Sequence, residues 1–366
     1  MKGEQMKTLK DWIVPWLYTS REYNVGILDK AMDTPEIARL MLNENPIQPS
    51  EKVIEAVVES LRHGNWYPDS FLRLRTKIGK MYGLGPDNVA LANGSSDTID
   101  AMMRLFLHPG DEFMLSTPTF ELFPPRAELC NAKVVSIPVR EDDLQYDVDA
   151  MLNAINDRTK LILIINPNNP TGVYIEDEDL IRFCETGVPL CIDEAYLDYN
   201  PDKPSKASLI EKYPQVFLSV TFSKAYGFCG IRFGFVLGTE EMIAAFNRMF
   251  LPWNVSRMAG AAAEAIIDNP DEVKAKVEHN NKWMAVFKEE LENLGLKPYP
   301  ANGNYMLIDG TMTGKTTAEI LKAALDDKIY LKKIGELHGK TGYFRVTPGT
   351  DEENERFMKF IRAYFG

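Results

Sequence analysis

Lys224 stands in TFSKAYGFCGIRFG, directly after an apolar run and before a glycine-punctuated turn, a place where a lysine points out of the end of a strand. An amine held there can attack a carbonyl and keep it as an imine. Ser223 beside it and Arg232 further along the same string offer a hydroxyl and a planar guanidinium fork that could reach one phosphate. Asp193, in LCIDEAYLDY, ends another apolar run, with Tyr196 following on the same side. A carboxylate in that position favours the protonated form of a neighbouring ring nitrogen. NPNNPTG at 166–172 follows the run LILII, and its prolines and glycine force a rigid non-helical turn. From that turn Asn169 can present its amide to whatever lies above the strand end, for example a ring hydroxyl oxygen. NGSSD at 93–97 separates a strand from an apolar-periodic helix, so the N–H groups and hydroxyls of Ser95 and Ser96 suit a phosphate at a helix N-terminus.

Taken singly, each feature has a plainer reading: Lys224 as a solvated turn lysine, Arg232 as an ion-pair partner, Asp193 as a helix cap, the serines as ordinary caps and Asn169 as turn chemistry. Together they supply a lysine for an imine, an acid for a pyridine nitrogen and a cradle for a phosphate. Those are the needs of a cofactor that works as an electron sink. All three fall at the ends of successive predicted strands, where open α/β sheets bind ligands.

The elements that must carry these groups can be read from periodicity. From about Ser50 to Val236, helical patterns alternate with short β-rich runs, which predicts an α/β unit with a mostly parallel sheet between helices. The strands are expected at Val89 to Ala92, Glu112 to Ser116, Lys133 to Val139, Leu161 to Ile165, Leu190 to Ile192, Phe217 to Thr221 and Ile231 to Leu237, seven in all. Helices are expected to start at Ser50, Ser96 and Phe120. Beyond about Asn254 the pattern turns to long helices interrupted by β-like stretches at Tyr305 to Ile308, Tyr330 to Ile334 and Tyr343 to Thr347, a second and smaller α+β unit. The last helix opens on Thr350 and Glu353 at capping-box spacing. A chain of 366 residues exceeds what one core usually organises. The expected partition is an arm over 1–48 that contributes to the small unit and to contacts between copies, a large cofactor-binding unit over 49–253 and a small unit over 254–366.

Composition narrows the partners. A net charge of -12 argues against a nucleic-acid surface. The four cysteines, Cys130, Cys184, Cys191 and Cys229, contain no C-x-x-C pair, and the four histidines are dispersed, so no metal site is expected. GTMTGKT at 310–316 has three residues between its glycines where a phosphate-binding P-loop needs four, and reads as a loop before a helix near Thr316. No apolar stretch has signal-peptide or membrane-spanning length, which points to a cytoplasmic protein.

NPNNPTG, DEAY and SKAYGFCGIRFG, in this order, resemble the pyridoxal phosphate aminotransferases of fold type I, classes I and II. LNENP at 42–46, WYPD at 66–69, PTF at 118–120 and FRVTPGT at 344–350 sharpen the likeness to histidinol-phosphate aminotransferases, from about Leu42 to the C-terminus. The resemblance implies an aspartate-aminotransferase-like fold and pyridoxal 5'-phosphate held on Lys224, with Asp193 at its ring nitrogen and Tyr196 and Asn169 at its ring oxygen. It implies Phe120 stacked on the ring, and Ser95, Ser96, Ser223 and Arg232 at the phosphate, joined by Tyr67 from the other copy of a homodimer. Arg345 would take a substrate carboxylate, with Asn45 and Lys332 also on the substrate side. The chain departs from the subgroup where Ile47, Gln48 and Pro49 follow NENP, where YPDS replaces YPDP, and where Lys332 and Lys333 occupy the neighbourhood of a phosphate-binding arginine. The implied activity is amino transfer between an amino acid or amino phosphate, such as histidinol phosphate, and a 2-oxo acid. The alternative on the same cofactor site is a decarboxylase or lyase, for example on a phosphorylated threonine.

Overall fold

A computed structural model describes residues 8–22 and 26–366. Twelve strands are assigned among them: β1 Ala38–Leu40, β2 Val89–Ala92, β3 Glu112–Thr117, β4 Lys133–Pro138, β5 Thr159–Ile165, β6 Leu190–Asp193, β7 Val216–Thr221, β8 Gly234–Leu237, β9 Lys297–Pro298, β10 Met306–Asp309, β11 Ile329–Lys333 and β12 Tyr343–Val346. They form a seven-stranded sheet in the order β2-β8-β7-β6-β5-β3-β4 and a five-stranded sheet in the order β1-β11-β12-β10-β9.

In the larger sheet only β8 runs against its neighbours, pairing antiparallel with both β2 and β7. The remaining pairs are parallel, as alternating helices and apolar runs require. Successive residues of a strand face opposite sides, and the core divides accordingly. Ile162 and Ile164 of β5 belong to one hydrophobic cluster, and Leu161, Leu163 and Ile165 to the other. That is why LILII is apolar throughout. All seven expected strands are present, and β8 alone has a boundary more than two residues from the expected one. Ile231 and Arg232 lie outside β8, which begins at Gly234, because Arg232 takes a left-handed backbone (φ 65°) that no strand accommodates. The helix expected from Phe120 begins instead at Phe123, with prolines in its first turn, and this leaves Phe120 in the loop above β3.

The smaller sheet packs on Trp283, Met284, Phe287 and Leu291 and on the last helix through Phe357, Phe360 and Ile361. Thr350 and Glu353 form the expected capping box, and Thr316 and Glu319 form a second one after the glycine loop at 310–314. Helix Pro270–Asn293 is a strut between the sheets: Val277 lies in the large sheet's core and Phe287 in the small sheet's. Helix Arg257–Ile267, on the C-terminal side of the expected partition at 253, places Ala259, Ala262, Ala263 and Ile266 in the large sheet's core. The arm supplies β1, which pairs in parallel with β11, while Trp16 donates from its indole to the Leu129 carbonyl at 2.9 Å. Among the described residues no helix is long and apolar enough to cross a membrane.

Phe287 is fully buried and meets Phe357 edge-on, with ring centroids 4.9 Å apart. Phe287→Ala is expected to destabilise the small-sheet core by about 3–5 kcal/mol. Denaturant unfolding followed by far-UV circular dichroism checks this.

Candidate active site

The loops leaving the C-terminal ends of β5, β6 and β7 converge on a cavity of about 170 Å³, lined by Lys224, Asp193, Tyr196, Asn169, Ser223, Arg232, Ser95, Ser96 and Phe120 among others. Nine of the residues expected at a cofactor site are thus together. Lys224 follows β7, its Nζ within donating distance of the carbonyl oxygens of Asn43 (3.3 Å) and Leu42 (3.4 Å) and 5.8 Å from the centre of the Tyr196 ring. Burial is the largest influence on its amine and pushes it down to about 8, with the nearby positive charges of Arg345 and Arg232 acting in the same direction. A lysine in that state has a substantial neutral, nucleophilic fraction near neutrality.

Asp193 closes β6 and accepts the Ala195 N–H at 2.9 Å. The next helical turn, Leu197–Tyr199, is capped at Tyr196, so Asp193 is not the helix cap that its sequence position also allowed. Burial raises its carboxyl to about 6, against the pull of that N–H and of the Lys224 charge. Glu194, next to it, ties the strand end to a neighbouring loop, accepting from the Ser205 hydroxyl and the Lys206 N–H, each at 2.6 Å.

Tyr196 accepts two amide bonds on its hydroxyl, from Asn169 Nδ2 at 3.0 Å and Asn43 Nδ2 at 2.9 Å. With both lone pairs engaged, its O–H is left to donate to a ligand oxygen. Burial pushes this phenol up to about 12, so it stays protonated. Asn169 in turn accepts from Arg345 Nη1 at 2.6 Å, while Arg345 Nη2 donates to the Met41 carbonyl at 2.7 Å.

The far end of the cavity suits a phosphate. Helix Ser95–Phe106 begins directly after Gly94, whose positive φ (72°) makes it the cap and puts both serines in the first turn, rather than leaving a serine as the cap. A Cβ on Gly94 would lie 2.3 Å from Arg232 Nη2, so only glycine lets the guanidinium settle against this helix end. Arg232 Nη1 is braced on the Cys229 carbonyl at 2.8 Å, and Thr221 donates to the Ser223 hydroxyl at 2.9 Å. A guanidinium, hydroxyls and helix N–H groups at one end, a carboxyl at the base and an amine at the side fit pyridoxal phosphate.

A second cavity of about 440 Å³ opens between the two sheets and shares Lys224, Tyr196, Asn169 and Phe120 with the first. Arg345 and Lys332 line it, Lys332 Nζ lying 3.0 Å from Glu121 Oε2. Two expected residues are elsewhere. Asn45 lines neither cavity: its Nδ2 faces the carbonyls of Ala225 (3.3 Å) and Lys224 (3.4 Å), because its Oδ1 accepts the Ile47 N–H and turns the side chain inward. Asn43, two residues earlier in the same LNENP string, is the one that reaches the site. Tyr67 lies outside both cavities of its own chain, 72% exposed and stacked on Trp253 with ring centroids 4.2 Å apart. Sequence reasoning missed Asn43, the Arg39–Glu44 pair (2.7 Å), Glu121, Thr221 and Cys229. Of these, Asn43 and Glu44 lie in the LNENP string and Thr221 and Cys229 in TFSKAYGFCGIRFG, whereas Arg39 and Glu121 lie in no motif string.

The fold and this donor set define a pyridoxal phosphate type of active site. The chain belongs to the aminotransferase class I and II family, which it matches over residues 35–361 and whose members use that cofactor. It is 33% identical over 337 residues to the histidinol-phosphate aminotransferase 1 of Mannheimia succiniciproducens, covering 90% of each chain. It superposes on the crystal structure of histidinol-phosphate aminotransferase from Sinorhizobium meliloti in complex with pyridoxal-5'-phosphate with a TM-score of 0.86 at 23% identity, covering 96% of this chain and 98% of that one. L-threonine-O-3-phosphate decarboxylase from Porphyromonas gingivalis shares the fold at a TM-score of 0.76 and 18% identity, over 90% of this chain and 99% of that one.

Two outcomes test the site. Gly94→Ala is expected to displace Arg232 and weaken pyridoxal phosphate binding by tenfold or more, on the order of 1.4 kcal/mol, with far-UV circular dichroism unchanged; absorbance titration of the apoprotein reads it. In the apoprotein, acylation of Lys224 should rise through pH of about 8, where its amine loses the proton. A solvated lysine would respond only near about 10.4. Peptide mapping across pH separates the two.

Proposed function

We propose that this protein transfers an amino group from an amino acid or amino phosphate, such as histidinol phosphate, to a 2-oxo acid, with pyridoxal phosphate bound through Lys224. The observation that carries this reading is the buried Lys224, lowered to about 8, beside a buried carboxyl at Asp193 and the Gly94–Arg232 phosphate cradle. The names of the relatives over nine-tenths of the chain support the donor class.

Each residue contributes a separate piece of the chain's own chemistry. Bound pyridoxal phosphate supplies a ring that withdraws electrons and acidifies the proton on the amine-bearing carbon. Asp193 would hold a proton at the ring nitrogen and Tyr196, oriented by Asn169, would donate to the ring oxygen. Ser95, Ser96, Ser223 and Arg232, which line one cavity with Phe120, would anchor the phosphate, and Phe120 would cover the ring face. Lys224, whose amine would hold the cofactor, would also be the group placed to take and return a proton at the amine-bearing carbon of the donor. Arg345 receives the anionic group beside the reacting carbon through its fork. The working unit in this reading is a cytoplasmic homodimer in which Tyr67 of one copy completes the phosphate site of the other. Support comes from the exposed apolar group around it: Trp66 is 61% exposed, Trp253 57% and Leu251 75%, more than a solitary chain usually leaves uncovered in one place.

Purified protein is expected to absorb near the edge of the visible range, and Lys224→Ala to lose both that band and transfer to 2-oxoglutarate. Arg345→Lys should retain the band but lower kcat/KM for the donor by about tenfold to a hundredfold, since a point charge replaces a fork braced on Asn169. Release of carbon dioxide or ammonia in place of transfer would overturn the reading.

A further inference from the structure

The large cavity contains two cations besides Lys224 and Arg345, and both are already answered by carboxylates. Arg39 holds Glu44 with both branches of its fork, Nη2 at 2.7 Å and Nε at 3.1 Å. Lys332 holds Glu121 at 3.0 Å. Lys332 is the direct cross-strand partner of Arg345, so the two side chains rise from the same face of the small sheet. A donor whose anionic group sits on Arg345 therefore presents its next substituent to Lys332. Around these pairs the wall is apolar, formed in part by Leu42, Phe120 and Ile334.

We propose that Glu121 is a specificity-determining residue: by holding Lys332, it selects donors whose second substituent is uncharged and largely apolar, against those carrying further negative charge. The inference rests on the transfer reading and narrows it. A side-chain carboxylate must take Lys332 from Glu121 and then sit beside the carboxylate it has displaced. A neutral side chain leaves the pair closed and buries against the apolar wall. Glu121 directly follows Phe120, so one short loop places the group that covers the cofactor ring and the group that sets the charge of the donor pocket.

The test uses the holoenzyme and follows loss of its visible-edge band under single-turnover conditions with phenylalanine, leucine, histidinol phosphate, aspartate and glutamate. Wild type should prefer phenylalanine, leucine and histidinol phosphate, whose substituent toward Lys332 is neutral once its phosphate sits on Arg345, to aspartate and glutamate. Glu121→Gln should raise kcat/KM for aspartate and glutamate relative to phenylalanine by about twofold to fivefold, the scale on which a solvent-exposed ion pair competes. In Glu121→Gln with Lys332→Met that gain should vanish, because the released cation is gone. An unchanged ratio in Glu121→Gln, or a gain that persists without Lys332, overturns the proposal while transfer itself stands. Failure of every donor to discharge the band would remove the transfer reading, and this proposal with it.

Discussion

The bond from Arg345 to Asn169 is the interaction on which the site depends. Arg345 is a residue of the small sheet and Asn169 sits in the loop after β5 of the large one, and their 2.6 Å contact is buried. It continues through Tyr196 to Asn43, whose Oδ1 accepts from Thr347 at 3.0 Å, so the chain of bonds leaves the small sheet, crosses the large one and returns. Every member is held by two neighbours, which fixes rotamers that would otherwise be free. Buried networks of this kind stabilise only when each donor and acceptor is met, and removing one member strands the others. The geometry of the ring-oxygen end and that of the donor-binding end are thus a single constraint.

Electrostatics follow from the same burial. Lys224 lies below the ordinary lysine range and Asp193 above the ordinary aspartate range for one dominant reason: both have been taken out of water. The cations Arg345 and Arg232 push Lys224 further in the same direction, while Lys224 and a backbone N–H pull Asp193 back. Two buried groups with displaced titration lining one cleft mark it as the candidate reactive site of the chain.

Much of this was legible in the sequence, for local reasons. Strands buried on both faces carry unbroken apolar runs, LILII in β5, LCI in β6 and VFL in β7, so these strands announce themselves, and the residues at their ends come with them. Lys224, Asp193, Asn169 and Tyr196 were found in this way. What was not legible depends on long-range pairing. β1 has three residues with Arg39 at its centre, too short and too polar to show a period, and it exists only because β11 accepts it. Asn43 was passed over for Asn45 because neighbouring asparagines in one string look alike, and only the Ile47 N–H decides which of them turns away. Tyr67 is exposed in one chain, and its expected role requires a second. The start of the Phe123 helix and of β8 slipped by three residues each, in one case because prolines set the first turn and in the other because Arg232 needs a left-handed backbone.

The two ends of the site differ in how they are built, and that difference decides where specificity can vary. The cofactor end rests on backbone: Gly94 at a helix start, Arg232 against it, and strand ends locked in a parallel sheet. Even the loop carrying Asn169 is pinned from behind, since a Cβ on Gly172 would fall 1.8 Å from the Pro300 carbonyl oxygen and Asn302 donates to the Gly172 carbonyl at 2.8 Å. The donor end is composed of side chains brought from the β1 loop, β11, β12 and the loop at Phe120. Arg39, Glu44, Glu121 and Lys332 can change without moving a strand, whereas a side chain on Gly94 or Gly172 would meet an atom already in place. Chemistry common to a large family can therefore persist on this scaffold while the accepted donor changes through a handful of exposed or half-buried charges.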